Sequence, residues 1–202
     1  MHRQPKDPAA TALLEQAAAH GVKVATVVEL RRYGARCAPF VEALVSAVRD
    51  TTSPQLLEDL AGVLAAPWAR DAAFQPLAER YRSAPNSPPS LKAALAQALG
   101  FLADERSRPE LMEFAAARKH GNSRAELVTA LGRLNGDGVL ELLVDLLRDP
   151  GVGGHALSAL LVYVERTRDT IDPLLVKPFH SDGRAWVRRD AKELLHLLDK
   201  LP

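Results

Sequence analysis

"ELVTALGRLNGDGVLELLVDLL" occupies Glu126–Leu147, and its reading decides the fold. Leu127, Leu131 and Leu134 recur at helical spacing before the short turn "NGDG". Leu140, Leu143, Val144 and Leu147 do the same after it. Gly and Asn stop a helix and reverse the chain, so the stretch predicts two antiparallel amphipathic helices. Nothing in it is reactive. A single helix pair cannot bury both of its apolar faces, so it needs neighbours stacked at about 8–10 Å.

Those neighbours are visible as internal repeats. Gly132 of "TALGRL" aligns with Gly100 of "QALGFL" and Gly62 of "DLAGVL". Leu161 of "SALLVY" and Leu195 of "KELLHL" continue the series, and Arg31 of "VELRRY" is a weaker first member. The steps are about 30 to 40 residues, the period of two-helix solenoid repeats. A second helix follows each anchor, with related endings in "ALVSAVRD", "PLAERYRS", "EFAAARKHG" and "ELLVDLLRDPG". The breakers "TTSP", "APNSPPS", "HGNS", "DPGVGG" and "HSDG" separate the helices.

Periodicity predicts first helices over 24–34, 54–66, 89–103, 123–134, 154–166 and 185–199. Second helices are predicted over 38–50, 71–83, 108–120, 137–149 and 171–180, with Pro178 counting against the last. An extra helix spans 8–20, capped by Asp7, opened by Pro8 and ended by Gly21. The expected organisation is an N-terminal extra helix in residues 1–22 and a single structural domain in 23–202.

Composition agrees. The 202 residues are 47% hydrophobic but only 5% aromatic, and Ala and Leu outnumber β-branched residues, which favours helix over sheet. A formal net charge of +1 lacks the basic excess of a protein that grips phosphates. Cys37 is the one cysteine, so no intrachain disulfide and no CxxC metal site can form. The N-terminus has no signal-peptide core, and the most apolar run, "ALSALLVYV", is about half a membrane span. The expectation is a cytoplasmic protein that engages no membrane.

Two stretches carry a family resemblance. "DPGVGGHALSALL" and "DGRAWVRRDAKELLHLL" resemble HEAT-like repeats, the latter through Asp182, Val187, Arg188, Ala191 and Leu195. "GNSRAELVTALGRL" matches through Ala130, Leu131, Gly132 and Leu134. The glycines of Gly151–Gly154 stand where Val-Arg is usual, which predicts a loosened first turn there. The resemblance spans roughly residues 24–199 and implies an all-α, right-handed α-solenoid of about five HEAT-like helix pairs plus terminal helices. That fold hosts scaffolds, adaptors, regulators and some enzymes, so function must come from surfaces.

A search for reactive groups finds little. His2, His20, His120, His155, His180 and His196 form no compact metal spacing. His20 and His120 are expected at helix C-termini, where the dipole favours a partly charged ring. Ser158 follows His155 by three residues, without a visible orienting group or oxyanion site. "NGDGVLEL" lacks the later ligands of a calcium loop. Neither cofactor nor metal is expected, and the protein is read as non-catalytic.

The expected working surface lies on the second helices, which line the concave wall in HEAT-like arrays. Their early turns carry Glu42, Gln75, Glu79, Glu110, Glu113, Glu141, Asp145 and Asp172. Their ends carry Arg49, Arg80, Arg82, Arg118, Lys119, Arg148 and Lys177. This polarity also suits the helix dipole. An acidic stripe repels phosphates, which argues for another protein as the partner of Glu79, Glu110, Glu113, Glu141, Asp145 and Arg148. An adaptor, a regulator or an immunity-type inhibitor would all use such a wall.

The alternative rests on "AWVRRDA", which resembles the Trp-x-Arg-Arg element of DNA alkylation-repeat glycosylases. That likeness implies Trp186 as a stacking residue, Arg188 and Arg189 as phosphate contacts and Asp190 as an acid partner. The other tryptophan, Trp68, has Asp71 three residues on rather than four. A structural reading competes: Trp186 packs the last helix on its neighbour while Arg188 and Arg189 face solvent. The repeats also resemble bilin-lyase-type HEAT proteins, although no chromophore-handling motif is evident.

Overall fold

Every regular element among the described residues is helical. The computed structural model describes residues 7–84 and 86–201, so His2 and residues 1–6 of the expected N-terminal segment lie outside the described residues. The chain divides into two units, Met1–Leu102 and Ala103–Pro202.

In the first unit, α1 (Pro8–Ala19) opens as its sequence requires. The Asp7 carboxylate accepts the Ala9 amide at 2.9 Å, and Pro8 occupies a position whose amide has no helical partner. Next come α2 (Val41–Asp50), α3 (Pro54–Leu64), α4 (Arg70–Arg82) and α5 (Pro89–Leu102). The first helices α3 and α5 pack together, as do the second helices α2 and α4. Leu44, Leu60, Leu64, Leu77, Leu95 and Leu99 are fully buried between these layers.

The second unit repeats the pattern with α6 (Arg108–Ala116), α7 (Arg124–Leu131), α8 (Val139–Leu146), α9 (Gly153–Thr167) and α10 (Ala185–Leu198). α9 lies between α7 and α10, while α6 and α8 pair on the other layer. Leu127, Leu131 and Leu143 are fully buried, and Leu134 and Leu147 nearly so.

Four expectations need correction. The predicted helix 24–34 is a 3-10 segment, Val27–Phe40, broken at Gly34 (φ 51°) and crossed by Pro39. The predicted helix 171–180 is two 3-10 turns, Pro173–Leu175 and Lys177–Ser181, because Pro178 withholds an amide that a continuous helix needs. On α8 the buried face is Val139, Leu143 and Leu146, whereas Leu140 and Val144 are half-buried. "VLELLVDLL" is apolar on most sides, so spacing alone cannot choose its inner face. The first turn of α9 is not loosened either: Gly153 and Gly154 are buried helical residues. A side chain on Gly153 would run into the Leu147 carbonyl at 2.6 Å.

Among the described residues, no helix is long and apolar enough to cross a membrane.

Candidate functional site

α6 and α8 stand side by side and bury one face each. Leu111, Phe114 and Ala115 turn inward from α6; Val139, Leu143 and Leu146 do so from α8. Outside, α6 leaves Pro109, Glu113 and Ala116 exposed and Glu110 half-buried. α8 leaves Glu141 and Asp145 exposed, with Arg148 exposed just past its end. Glu110 and Glu141 sit in first turns, where the amide ends of the helix favour a carboxylate. Five of the six expected partner-binding residues therefore belong to the second unit. Glu79 is exposed on α4 of the first.

Tyr163 of α9 is 5% exposed. Burial foremost, then the Asp169 carboxylate beside it and the charge of Glu141, push its phenol above the usual value. The hydroxyl stays protonated over the whole physiological range.

The turn between α7 and α8 is held from both sides. Arg108, opening α6, donates to the Asn135 carbonyl at 2.5 Å and to Glu105 at 3.0 Å. Arg166 of α9 donates to the Gly132 carbonyl at 2.9 Å and to the Asn135 side chain at 2.6 Å. Glu105 accepts the Asn135 amide at 2.8 Å. Gly136 and Gly138 reverse the chain at φ 119° and 80°, so "NGDG" needs both glycines where they stand. The acidic residues of α8 thus start from a rigid base.

The residues of "AWVRRDA" come together differently from the glycosylase likeness. Trp186 is half-buried at the start of α10. Its ring lies against His155 of α9, centroids 5.0 Å apart, with the Arg184 guanidinium 5.3 Å above it. Gly154 makes room for Arg184, since a methyl there would come within 2.8 Å of the guanidinium. Asp190 is 5% exposed. One carboxylate oxygen accepts the Ser158 hydroxyl, and the other accepts Arg189 at 2.8 and 3.0 Å. Arg188 donates to the Asp182 carbonyl at 2.6 Å and is half-buried, so of the two arginines only Arg189 is exposed. Arg184 grips the Asp182 carboxylate through two bonds of 2.9 Å, which holds that acid down to about 2. Trp186 and Asp190 join α10 to α9, and Arg188 joins it to the turn before it, while Arg189 bonds its neighbour Asp190. Trp68 sits far from this arrangement in sequence, in a 3-10 turn of the first unit.

Sequence reasoning missed one polar centre. Arg124 is 3% exposed at the start of α7. It donates to the Ala115 carbonyl at 3.1 Å, to the Gly121 carbonyl at 2.9 Å and to Asp149 at 3.0 Å. Asp149, 6% exposed, also accepts the Gly151 amide at 2.8 Å and lies 3.6 Å from Arg118. Burial opposes its ionisation, but the Gly151 amide, then Arg124 and Arg118, outweigh it and hold the carboxyl below its usual range. A signal existed: Arg124, Leu127 and Leu131 share one helical stripe, so the arginine stands on the buried face. His120 also departs from expectation. It is 1% exposed in the 3-10 segment Arg118–Ser123, with its ring edge-on to Phe114 at 6.0 Å. His20 is as expected at the α1 terminus, its Nδ1 2.9 Å from the Gln16 carbonyl.

No group of three or more histidine, cysteine or acidic residues among the described residues is placed to hold a metal ion.

Residues 74–161 match the family model described as HEAT repeats. Among solved structures, the chain is similar to one titled "Designed armadillo repeat protein YIII(Dq)4CqI". The TM-score is 0.53 at 13% identity, covering 92% of this chain and 99% of that one, a likeness of fold alone. No curated protein matches the chain.

Proposed function

We propose that this chain, a HEAT-like repeat protein, is a non-catalytic binding module that holds another protein against its second helices. The supporting observation is the outward face of α6 and α8: Glu113, Glu141 and Asp145 are exposed on two adjacent helices whose opposite faces are buried. Glu110 and Arg148 extend that face within the second unit, while Glu79, exposed on α4, belongs to the first unit. A partner with a basic, shape-matched surface would be steered by this field and oriented by Arg148 at its edge. Within the class, an adaptor, a regulator or an immunity-type inhibitor fits equally.

The test starts with capture of a partner from the native host, followed by titration of the purified partner. Glu141→Lys with Asp145→Lys is expected to weaken binding about tenfold, with most of the early loss in association rate. Circular dichroism should stay unchanged, because both side chains are exposed. Full binding by this variant would rule out the second-helix face.

A further inference from the structure

The first unit carries an open groove of about 560 Å³ that the second-helix reading does not use. It is lined by α1, by the start of α3 through Asp59, and by the chain over residues 25–27. The groove exists because α1 is apolar on two sides. Leu13 and Ala17 are buried, and α1 packs on α2 and the 3-10 segment. Ala10, Leu14 and Ala18 recur four apart and turn a second stripe toward the groove. Val27 and Leu56 complete the apolar lining; both are buried, and Leu14 is half-buried.

The rim is acidic. Asp7, Glu15 and Asp59 line the groove, and among the described residues no lysine or arginine does. Asp7 is committed to the fold, one oxygen accepting the Ala9 amide and the other the Thr51 hydroxyl at 2.9 Å. Glu15 is exposed, and Asp59 is half-buried with one oxygen taking the Gln55 amide at 3.2 Å. Two carboxylates, Glu15 and Asp59, therefore flank an apolar trough.

We propose that this groove docks a short amphipathic helix of a partner protein, its apolar side on Ala10, Leu14 and Ala18 and its lysines or arginines on Glu15 and Asp59. Helices enter such grooves through apolar residues spaced three and four apart. The volume falls in the range of about 300–1,000 Å³ in which organic groups bind. The acidic rim selects a cationic helix and rejects phosphate-bearing ligands. This surface belongs to α1 and α3, so it can fail or hold independently of the face on α6 and α8.

The probe is a labelled peptide, LKKLLKKLLKKL, titrated by anisotropy into the full chain, with LEELLEELLEEL as its acidic counterpart. The basic peptide should bind and the acidic one should not. Glu15→Lys with Asp59→Lys should weaken binding about tenfold or more. If the reversed rim unfolds the chain, Glu15→Gln with Asp59→Asn should still give a severalfold loss. Equal binding of both peptides, or an unchanged affinity in a folded rim variant, overturns the proposal. So does equally tight competition by dodecyltrimethylammonium, which would mark a small-amphiphile pocket. Sedimentation showing self-association that the rim variant abolishes would place a second copy in the groove and overturn it too.

Discussion

A methyl group on Gly132 would lie 2.5 Å from the Ala159 carbonyl and 2.9 Å from its Cα. Alanine gains about 1 kcal/mol over glycine in a helix, but forcing two backbones apart costs about 1–3 kcal/mol. The clash wins, because a backbone carbonyl cannot swing aside. Gly132→Ala should lower the melting temperature, whereas Gly62→Ala should be nearly neutral, since its neighbour is the flexible end of Arg31. Thermal unfolding of the two variants distinguishes these outcomes. His155 supplies a pH-dependent prediction. Burial first, then the Arg184 charge, lower its pKa, with Glu126 opposing them. A histidine with a depressed folded-state pKa stabilises the fold above its unfolded value of about 6.5, and that contribution is lost as pH falls through the folded value. Melting temperature should therefore fall more steeply between pH 7 and pH 5 in the wild type than in His155→Gln. Parallel curves would mean the imidazole is not the group responsible. That Trp186 packs the last helix on its neighbour was legible in the sequence; that the His155 ring is its contact there was not, because the two stand on different helices.

At the scale of elements, the α6–α8 region depends on Arg124 and Asp149. Arg124 reaches the end of α6, the turn at Gly121 and the end of α8 from one buried position. Arg124→Met removes the cation and leaves Asp149 charged and enclosed, which should cost about 3–5 kcal/mol. Asp149→Asn keeps an acceptor for the Gly151 amide and should cost less, about 1–2 kcal/mol. Chemical denaturation of both variants and their combination would measure this. Losses that simply add would show that the two side chains do not act as a pair. The helix boundaries near this centre were readable from capping and breaking residues. The inner face of α8 was not, because an almost uniformly apolar helix takes its orientation from its neighbours. The proline-containing segment 171–180 shows the reverse limit: apolar spacing suggested a helix where a missing amide prevented one.

For the whole molecule, near-neutral charge and an engaged Trp186 cluster lead to a negative expectation for nucleic acid. A gel shift with duplex DNA should show only weak binding that salt abolishes, and reversing Arg188 and Arg189 should change it little. Strong binding lost in that variant would restore the alternative reading. The proposal that residues 23–202 form one structural domain predicts a single unfolding transition by calorimetry. Stacked repeats draw stability from nearest neighbours, so transitions merge when every interface is well packed. Two separated transitions would assign independent stability to Met1–Leu102 and Ala103–Pro202.

The sequence by itself determined the helical class, the repeat period and most helix limits. These follow from local rules: apolar residues spaced for one face, prolines and glycines at the ends, and acids at the starts. It also marked Glu113, Glu141 and Asp145 as outward residues, since charge on an amphipathic helix faces water. Only the tertiary structure decided which apolar residues of α8 turn inward, why Gly132 is glycine, and that Asp190 is bound to Ser158 and Arg189. It alone revealed Arg124 bridging three segments and the acidic-rimmed groove beside α1. These features arise where separate helices meet, and helical periodicity records a residue's direction on its own helix but not what waits across the interface.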